Sequence, residues 1–261
     1  MAGATTVGEQ DYAARVIEAA RDGARIPAAS TSMPAITIAA SYRIQGVLVA
    51  AALDCGDTIA GYKGGLVTPG LIMGGKPVAP ALGVLLRSGE MAPAATISLA
   101  GFRQLVIECE IAFTFGHGIS TQLGDVAALR AAVRAVRPAI ELPDFALDGA
   151  IRTPADLIAI NVAVSRHMLG RPVPATTPLG DVTPTLARDG ETIATGDVAA
   201  TVGDPWATLL ALVNLAVDLG HRIEAGNTIL SGAIIVVFDP QPGTYVADFG
   251  ALGTIDLTVT A

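Results

Sequence analysis

Glu108, Cys109 and Glu110 place two carboxylates two residues apart inside an apolar run, Leu105 to Phe115. In a strand, residues two apart share a face, so both carboxylates point one way and Cys109 points the other. Two bare like charges on a buried face repel each other and lose their hydration. A divalent cation resolves that conflict, and oxygen ligands suit Mg2+, Mn2+ or Ca2+ better than zinc. An edge strand with one solvent face is the other reading of the same spacing. Glu141 follows Pro138-Ala139-Ile140 in a similarly apolar setting. It could complete a three-carboxylate site, or be an ordinary glutamate at a helix or loop end.

Lys63 is one of only two lysines, with Lys76, among 16 basic residues. It stands between Gly61 and Gly64-Gly65, which permit close approach of backbone or ligand. A compact ammonium can hold a carboxylate or move a proton, whereas a guanidinium stays charged. A surface lysine in a loop is the alternative. His117, His167 and His221 lack metal-ligand spacing and read as surface or supporting groups. No GxSxG, GxGxxG or P-loop pattern occurs.

These groups need a frame. Helical periodicity covers Gly8 to Asp22 and Ile38 to Ala52, forming a small helical N-terminal region over residues 1–57. Residues 58–261 turn to short apolar runs punctuated by Gly and Pro. Strands are expected at Leu105–Phe115, Ile158–Val164, Val182–Ala187, Thr228–Val237, Thr244–Phe249 and Thr254–Val259. Helices are expected at Asp125–Val136 and Asp204–Leu219. Strands outnumber helices and lack βαβ spacing, which argues against a doubly wound sheet.

Half of the 261 residues are apolar (51%) and 15% are charged, a composition that folds. The net charge of −8 and the aromatic share of 4% argue against nucleic acid and anionic membranes. The apolar stretch from Pro205 to Val217 is too short to span a bilayer and reads as a buried helix. Two cysteines read as free thiols and no signal peptide is visible, so the expected location is cytoplasmic.

Taken in order, the residues resemble one group in the fumarylacetoacetate hydrolase superfamily, the 2-oxopent-4-enoate hydratases and 4-oxalocrotonate decarboxylases. The resemblance runs through Ser41-Tyr42-Arg43-Ile44-Gln45, Ile59 to Leu66, Ile107 to Phe113 and Pro138 to Glu141. It continues with Asn161, the stretch from Ala194 to Gly220, and Ala225 to Ala233. It implies an α+β fold, a mixed β-roll behind a small helical N-terminal region. It implies Mg2+ or Mn2+ on Glu108, Glu110 and Glu141, with Lys63 as the catalytic group. Gly64, Leu66, Val67, Ile160, Asn161, Ser231 and Gly232 are the implied substrate-binding positions.

The implied activity is metal-dependent hydration of a 2-hydroxy-dienoate, a 2-oxo-enoate tautomer, to a 4-hydroxy-2-oxo acid. Decarboxylation of a 2-oxo-enedioate, or a catalytically weak partner subunit, are the alternatives. Members act in aromatic-compound breakdown, assemble as homo-oligomers, and can associate with a related pathway enzyme. The chain departs from its relatives at Val67 and Ile160, where Thr and Asp are usual, and at Asp204 and Leu142-Pro143-Asp144. A polar shell has thus become apolar, which favours an alkyl-bearing, monocarboxylic substrate unless Arg103 or Arg166 holds a distal carboxylate.

Overall fold

The computed structural model describes residues 4–261. A nine-stranded mixed sheet dominates it. Its strands are β1 (Ile59–Gly65), β2 (Ala81–Leu86), β3 (Glu90–Met91), β4 (Val106–Phe115), β5 (Val133–Leu142), β6 (Arg166–Leu169), β7 (Val173–Pro174), β8 (Thr228–Leu230) and β9 (Ile235–Phe238). The main path runs β2-β1-β8-β4-β5-β6-β3, with β7 on β5 and β9 on β4. A second sheet of five strands includes the antiparallel pair Gly243–Asp248 and Thr254–Thr260. This is the curled-sheet α+β architecture expected from the sequence.

Period-two alternation decides which side chains meet. Ile107, Cys109, Ile111, Phe113 and Phe115 lie on one face of β4 and join the main core. Helix α5 (Pro205–Asp218) contributes Trp206, Leu209, Leu212 and Val213 to the same core. Val198–Asp218 is the one helical run among the described residues long and apolar enough to cross a bilayer. Gly203 breaks it (φ 70°), and its apolar face is spent on packing.

The other face of β4 carries Glu108, Glu110, Ala112 and Thr114. Ala112 packs with Ala60, Leu85, Ala139 and Leu230 into a small separate cluster. This patch divides two polar regions of one sheet face. Gly61 lets β1 and β8 close up, since a Cβ there would fall 1.8 Å from the Thr228 carbonyl oxygen.

The N-terminal helices are α1 (Val7–Asp22) and α2 (Ile38–Asp54). Thr6 and Glu9 form a capping box on α1, and Glu9 also accepts from Arg43 Nε at 2.9 Å and Nη2 at 2.5 Å. The next side chains on α2 hold the sheet edge. The Leu82 N–H donates to the Tyr42 hydroxyl (3.1 Å), and Gln45 Nε2 donates to the Leu82 carbonyl (2.8 Å). The Ser41-Tyr42-Arg43-Ile44-Gln45 motif therefore occupies the free edge of β2, where unpaired backbone groups would otherwise invite another strand.

Several expected elements fall differently. The helix expected over Asp125–Val136 is α3 (Val126–Ala132), and the chain then passes directly into β5. Pairing of β5 with β4 outweighs the helical preference of its alanines and arginines. Ile158–Val164 is no strand. It contains the end of α4 (Pro154–Ile158) and a left-handed turn with φ of 55°, 55° and 57° at Asn161, Val162 and Ala163. Thr228–Val237 is two strands, β8 and β9, parted at Ser231–Ile234, and the strand expected from Val182 begins at Thr185.

Candidate metal centre

Strand β4 presents Glu108 and Glu110, and β5 sets Glu141 directly opposite Glu108 in the antiparallel register. Each of the three offers a carboxylate oxygen, all within 4.8 Å of one another. Glu110 and Glu141 are fully buried and Glu108 is 8% exposed. The solvent-edge reading of the Glu-Cys-Glu spacing is thereby excluded.

Lys63 reaches the cluster from β1, two strands away. Its Nζ lies 2.5 Å from Glu141 Oε2 and 3.4 Å from Glu108 Oε2, and the residue is 3% exposed. The surface-loop reading of this lysine fails. Burial by itself would discharge the ammonium, but Glu141, Glu108 and Glu110 outweigh it and raise the pKa. Burial pushes the Glu110 and Glu141 carboxyls up, Lys63 draws them down, and the neighbouring carboxylates raise them again. Cys109 faces the core, where burial and then Glu110 and Glu108 push its thiol up to about 12, so it is not a nucleophile here.

The residues fit a divalent cation. Three carboxylates against one ammonium leave two negative charges. Glu110 Oε1 and Glu141 Oε1 are buried without a hydrogen-bond donor, and Glu141 Oε2 has only the Lys63 ammonium, at 2.5 Å. Orphaned buried oxygens of this kind need a partner. An all-oxygen set suits Mg2+ or Mn2+. Glu110 Oε2 is oriented by the Gly232 N–H at 2.7 Å.

The remaining expected site positions divide. Gly232 (φ 99°) turns its N–H to Glu110, and a Cβ there would come 2.4 Å from Val67 Cγ2. Val67, buried, thus covers the turn that orients Glu110. Gly64 lies beneath Leu212 and Val67. Ser231 donates its hydroxyl to the Gly232 carbonyl at 3.1 Å and accepts from the Ile111 N–H at 3.2 Å. The Asn161 amide is spent on Val84, accepting from its N–H at 2.8 Å and donating to its carbonyl at 2.9 Å. Ile160 and Leu66 pack with the N-terminal helices and α4.

Arg103 is held by Asp144 at 2.8 Å, and the Arg166 guanidinium lies 5.0 Å from the Phe102 ring centre. Two neighbours escaped the sequence reading. Gly83 admits Lys63, because a Cβ there would meet Lys63 Cγ and the Asn161 carbonyl at 3.0 Å each. His167, expected as a surface or supporting group, is buried directly across from Glu141 on β6. The alternation of His167 with the apolar Met168 within a short strand was the available signal.

No family profile matches the chain. It is 30% identical over 256 residues to the 2-keto-4-pentenoate hydratase of Burkholderia vietnamiensis, spanning 95% of this chain and 96% of that one. It is 29% identical over 250 residues to a 4-oxalocrotonate decarboxylase of a Pseudomonas species, again over 95% and 96%. Its fold is similar to that of 4-oxalocrotonate decarboxylase from Pseudomonas putida G7, solved with magnesium and adipate. That superposition has a TM-score of 0.90 at 22% identity, over 99% of this chain and 100% of the other. Together with the carboxylate cluster, these similarities identify the chain as a member of the 2-oxopent-4-enoate hydratase and 4-oxalocrotonate decarboxylase group of enzymes in the fumarylacetoacetate hydrolase superfamily.

Proposed function

We propose that the chain decarboxylates a small 2-oxo-enedioate of the 4-oxalocrotonate kind, using Glu108, Glu110, Glu141, Lys63 and a divalent cation. The observation that carries this choice over hydration concerns the polar groups around the carboxylates. Ser231 and Asn161 have their side chains committed to backbone partners. Val67, which covers the Gly232 turn beside Glu110, offers no hydroxyl there, and Ile160 packs with the N-terminal helices and α4. Hydration needs a positioned water and a base to activate it. Decarboxylation needs an electron sink and a proton donor.

A divalent cation held by the three glutamates supplies the electron sink at the 2-oxo acid end. The chain's own groups do the rest. As the bond to the distal carboxylate breaks and CO2 departs, its electron pair delocalises through the conjugated chain to the 2-oxygen. Lys63 is the ammonium beside that end, and donates the proton that completes the 2-hydroxy-dienoate. Arg103 and Arg166 are engaged elsewhere, so the second carboxylate of such a substrate finds no guanidinium partner in them, which on its own favours the monocarboxylic substrate of the second reading.

Hydration of a 2-hydroxy-dienoate is the second reading, favoured by the hydratase at 30% identity. The test is to supply a 2-oxo-enedioate and a 2-hydroxy-dienoate separately with Mg2+ or Mn2+, resolving products by mass. CO2 release abolished by EDTA is expected. Hydration at least ~10-fold more efficient than CO2 release would replace the first reading with the second. No turnover of either acid would point to a catalytically weak partner subunit.

A further inference from the structure

Beyond the apolar patch of Ala60, Leu85, Ala112, Ala139 and Leu230, the same sheet face ends in a second polar pocket of about 110 Å³. Arg87, Glu90, Arg134, Arg137 and His167 line it, beside Thr114 and Thr228, whose hydroxyls hydrogen-bond to each other at 3.2 Å. Three guanidiniums around so small a space are unexpected in a chain of net charge −8. Glu90, the one carboxylate among the lining residues, is paired with Arg87. Among the described residues, neither Arg134 nor Arg137 makes an ion pair.

Two buried nitrogens without partners strengthen the case. Arg137 gives one Nη1 hydrogen bond to the Gly170 carbonyl at 3.2 Å, but its buried Nε has no partner. His167 is 2% exposed, and its Nδ1 is likewise buried without a partner. Arg137 also suffers from its surroundings. Burial and then the Arg134 charge disfavour its cationic form, with Glu90 opposing them. Two like charges brought together beside unsatisfied buried nitrogens are stable when an acceptor of negative charge lies between them. At about 110 Å³ the pocket is well above the least space that holds a single water, and it admits a small anion.

We infer that this pocket is a second ligand site, which takes a small oxyanion, phosphate-like or a short carboxylate, on Arg134, Arg137 and His167. The apolar patch separates Arg134 and Arg137 from the three glutamates, while His167, directly across from Glu141, borders both regions. The oxyanion accepts from the two guanidiniums and from the imidazole nitrogen. Glu90 competes with the ligand for the same positive charge and sets its affinity.

The test is calorimetric titration of the Mg2+-loaded full chain with inorganic phosphate, and separately with acetate, at constant ionic strength. One site per chain is expected for at least one of the two anions. Preference for phosphate identifies a tetrahedral oxyanion, and preference for acetate a carboxylate. Arg134→Gln, at an exposed position, and Arg137→Met should each weaken binding at least ~10-fold. Mg2+ affinity should stay unchanged in both. Glu90→Gln should tighten anion binding, which a merely structural Glu90 would not do. Binding of neither anion, or equal binding in wild type and Arg134→Gln, overturns the assignment, the latter by placing the anion at the metal.

Discussion

Glu108 and Glu141 face each other directly across β4 and β5, a like-charge pair on a buried sheet face. Such pairs destabilise a sheet unless a cation stands between them. Lys63 supplies one positive charge to both partners, and Glu110 adds a third negative charge. The geometry therefore calls for one divalent ion per chain. Titration with Mn2+ should find a single site, lost in Glu110→Ala, whose carboxylate Gly232 holds in place. Undiminished Mn2+ binding in that variant would remove the metal assignment. Metal should also raise the melting temperature, because a ligand of the folded state alone stabilises it.

Lys63→Ala should lower kcat/KM by at least ~100-fold, about 2.7 kcal/mol of transition-state stabilisation. Mn2+ affinity should be kept or increased, because the carboxylates lose a competing cation. Without metal the variant should melt earlier than wild type, since breaking a buried pair leaves charge uncompensated. Lys76 is exposed, so Lys76→Ala is the control. Equal, small effects of the two substitutions would take Lys63 out of the reaction.

How far the sequence foretold this centre depends on distance along the chain. Glu108 and Glu110 were legible because period two is a local rule. Glu141 and Lys63 come from other strands: apolar context offered Glu141 as a possible third ligand beside an ordinary loop-end reading, and the resemblance to relatives joined both residues to the pair. Strand β5 was hidden by Ala131-Ala132-Val133-Arg134-Ala135-Val136, which suits a helix until β4 pairs with it. The left-handed turn at Asn161–Ala163 had no signal either. Val162 is β-branched and costly at positive φ, and the cost is met by Asn161's two hydrogen bonds to Val84. The basic pocket draws on residues from Arg87 to Thr228, so no local spacing could reveal it.

Acid sensitivity should arise in part at Asp156, away from the metal centre. Burial would raise its pKa, but hydrogen bonds from Ser30, Arg152 and Thr153 outweigh that and hold it below the usual carboxylate range. The donors include the Ser30 N–H at 2.7 Å and the Thr153 N–H at 3.0 Å. A carboxylate with a depressed folded pKa contributes fully above its unfolded value of ~3.9 and loses that contribution as pH falls through the folded value. Asp156→Asn should cost about 1–3 kcal/mol at neutral pH. It should also flatten the fall in stability below about pH 4. Chemical denaturation at pH 7 and pH 3 measures both, and an unchanged pH slope would acquit Asp156.

Val67 separates the two candidate reactions more cleanly than any charged residue. Its methyls cover Gly232, whose N–H orients Glu110, so a hydroxyl placed there would stand beside the carboxylate cluster. Val67→Thr is close to isosteric but swaps a methyl for a donor and acceptor, at a stability cost of about 1–2 kcal/mol in apolar surroundings. That hydroxyl can hold a water for addition. The variant should hydrate a 2-hydroxy-dienoate faster relative to its CO2 release from a 2-oxo-enedioate, with the ratio moving by at least ~10-fold. Mn2+ affinity reports separately on Glu110 and should not change. A ratio that stays put while Mn2+ binding is intact would show that Val67 does not govern the choice. A fall in both activities with weakened Mn2+ binding would mean that the turn at Gly232 had moved instead.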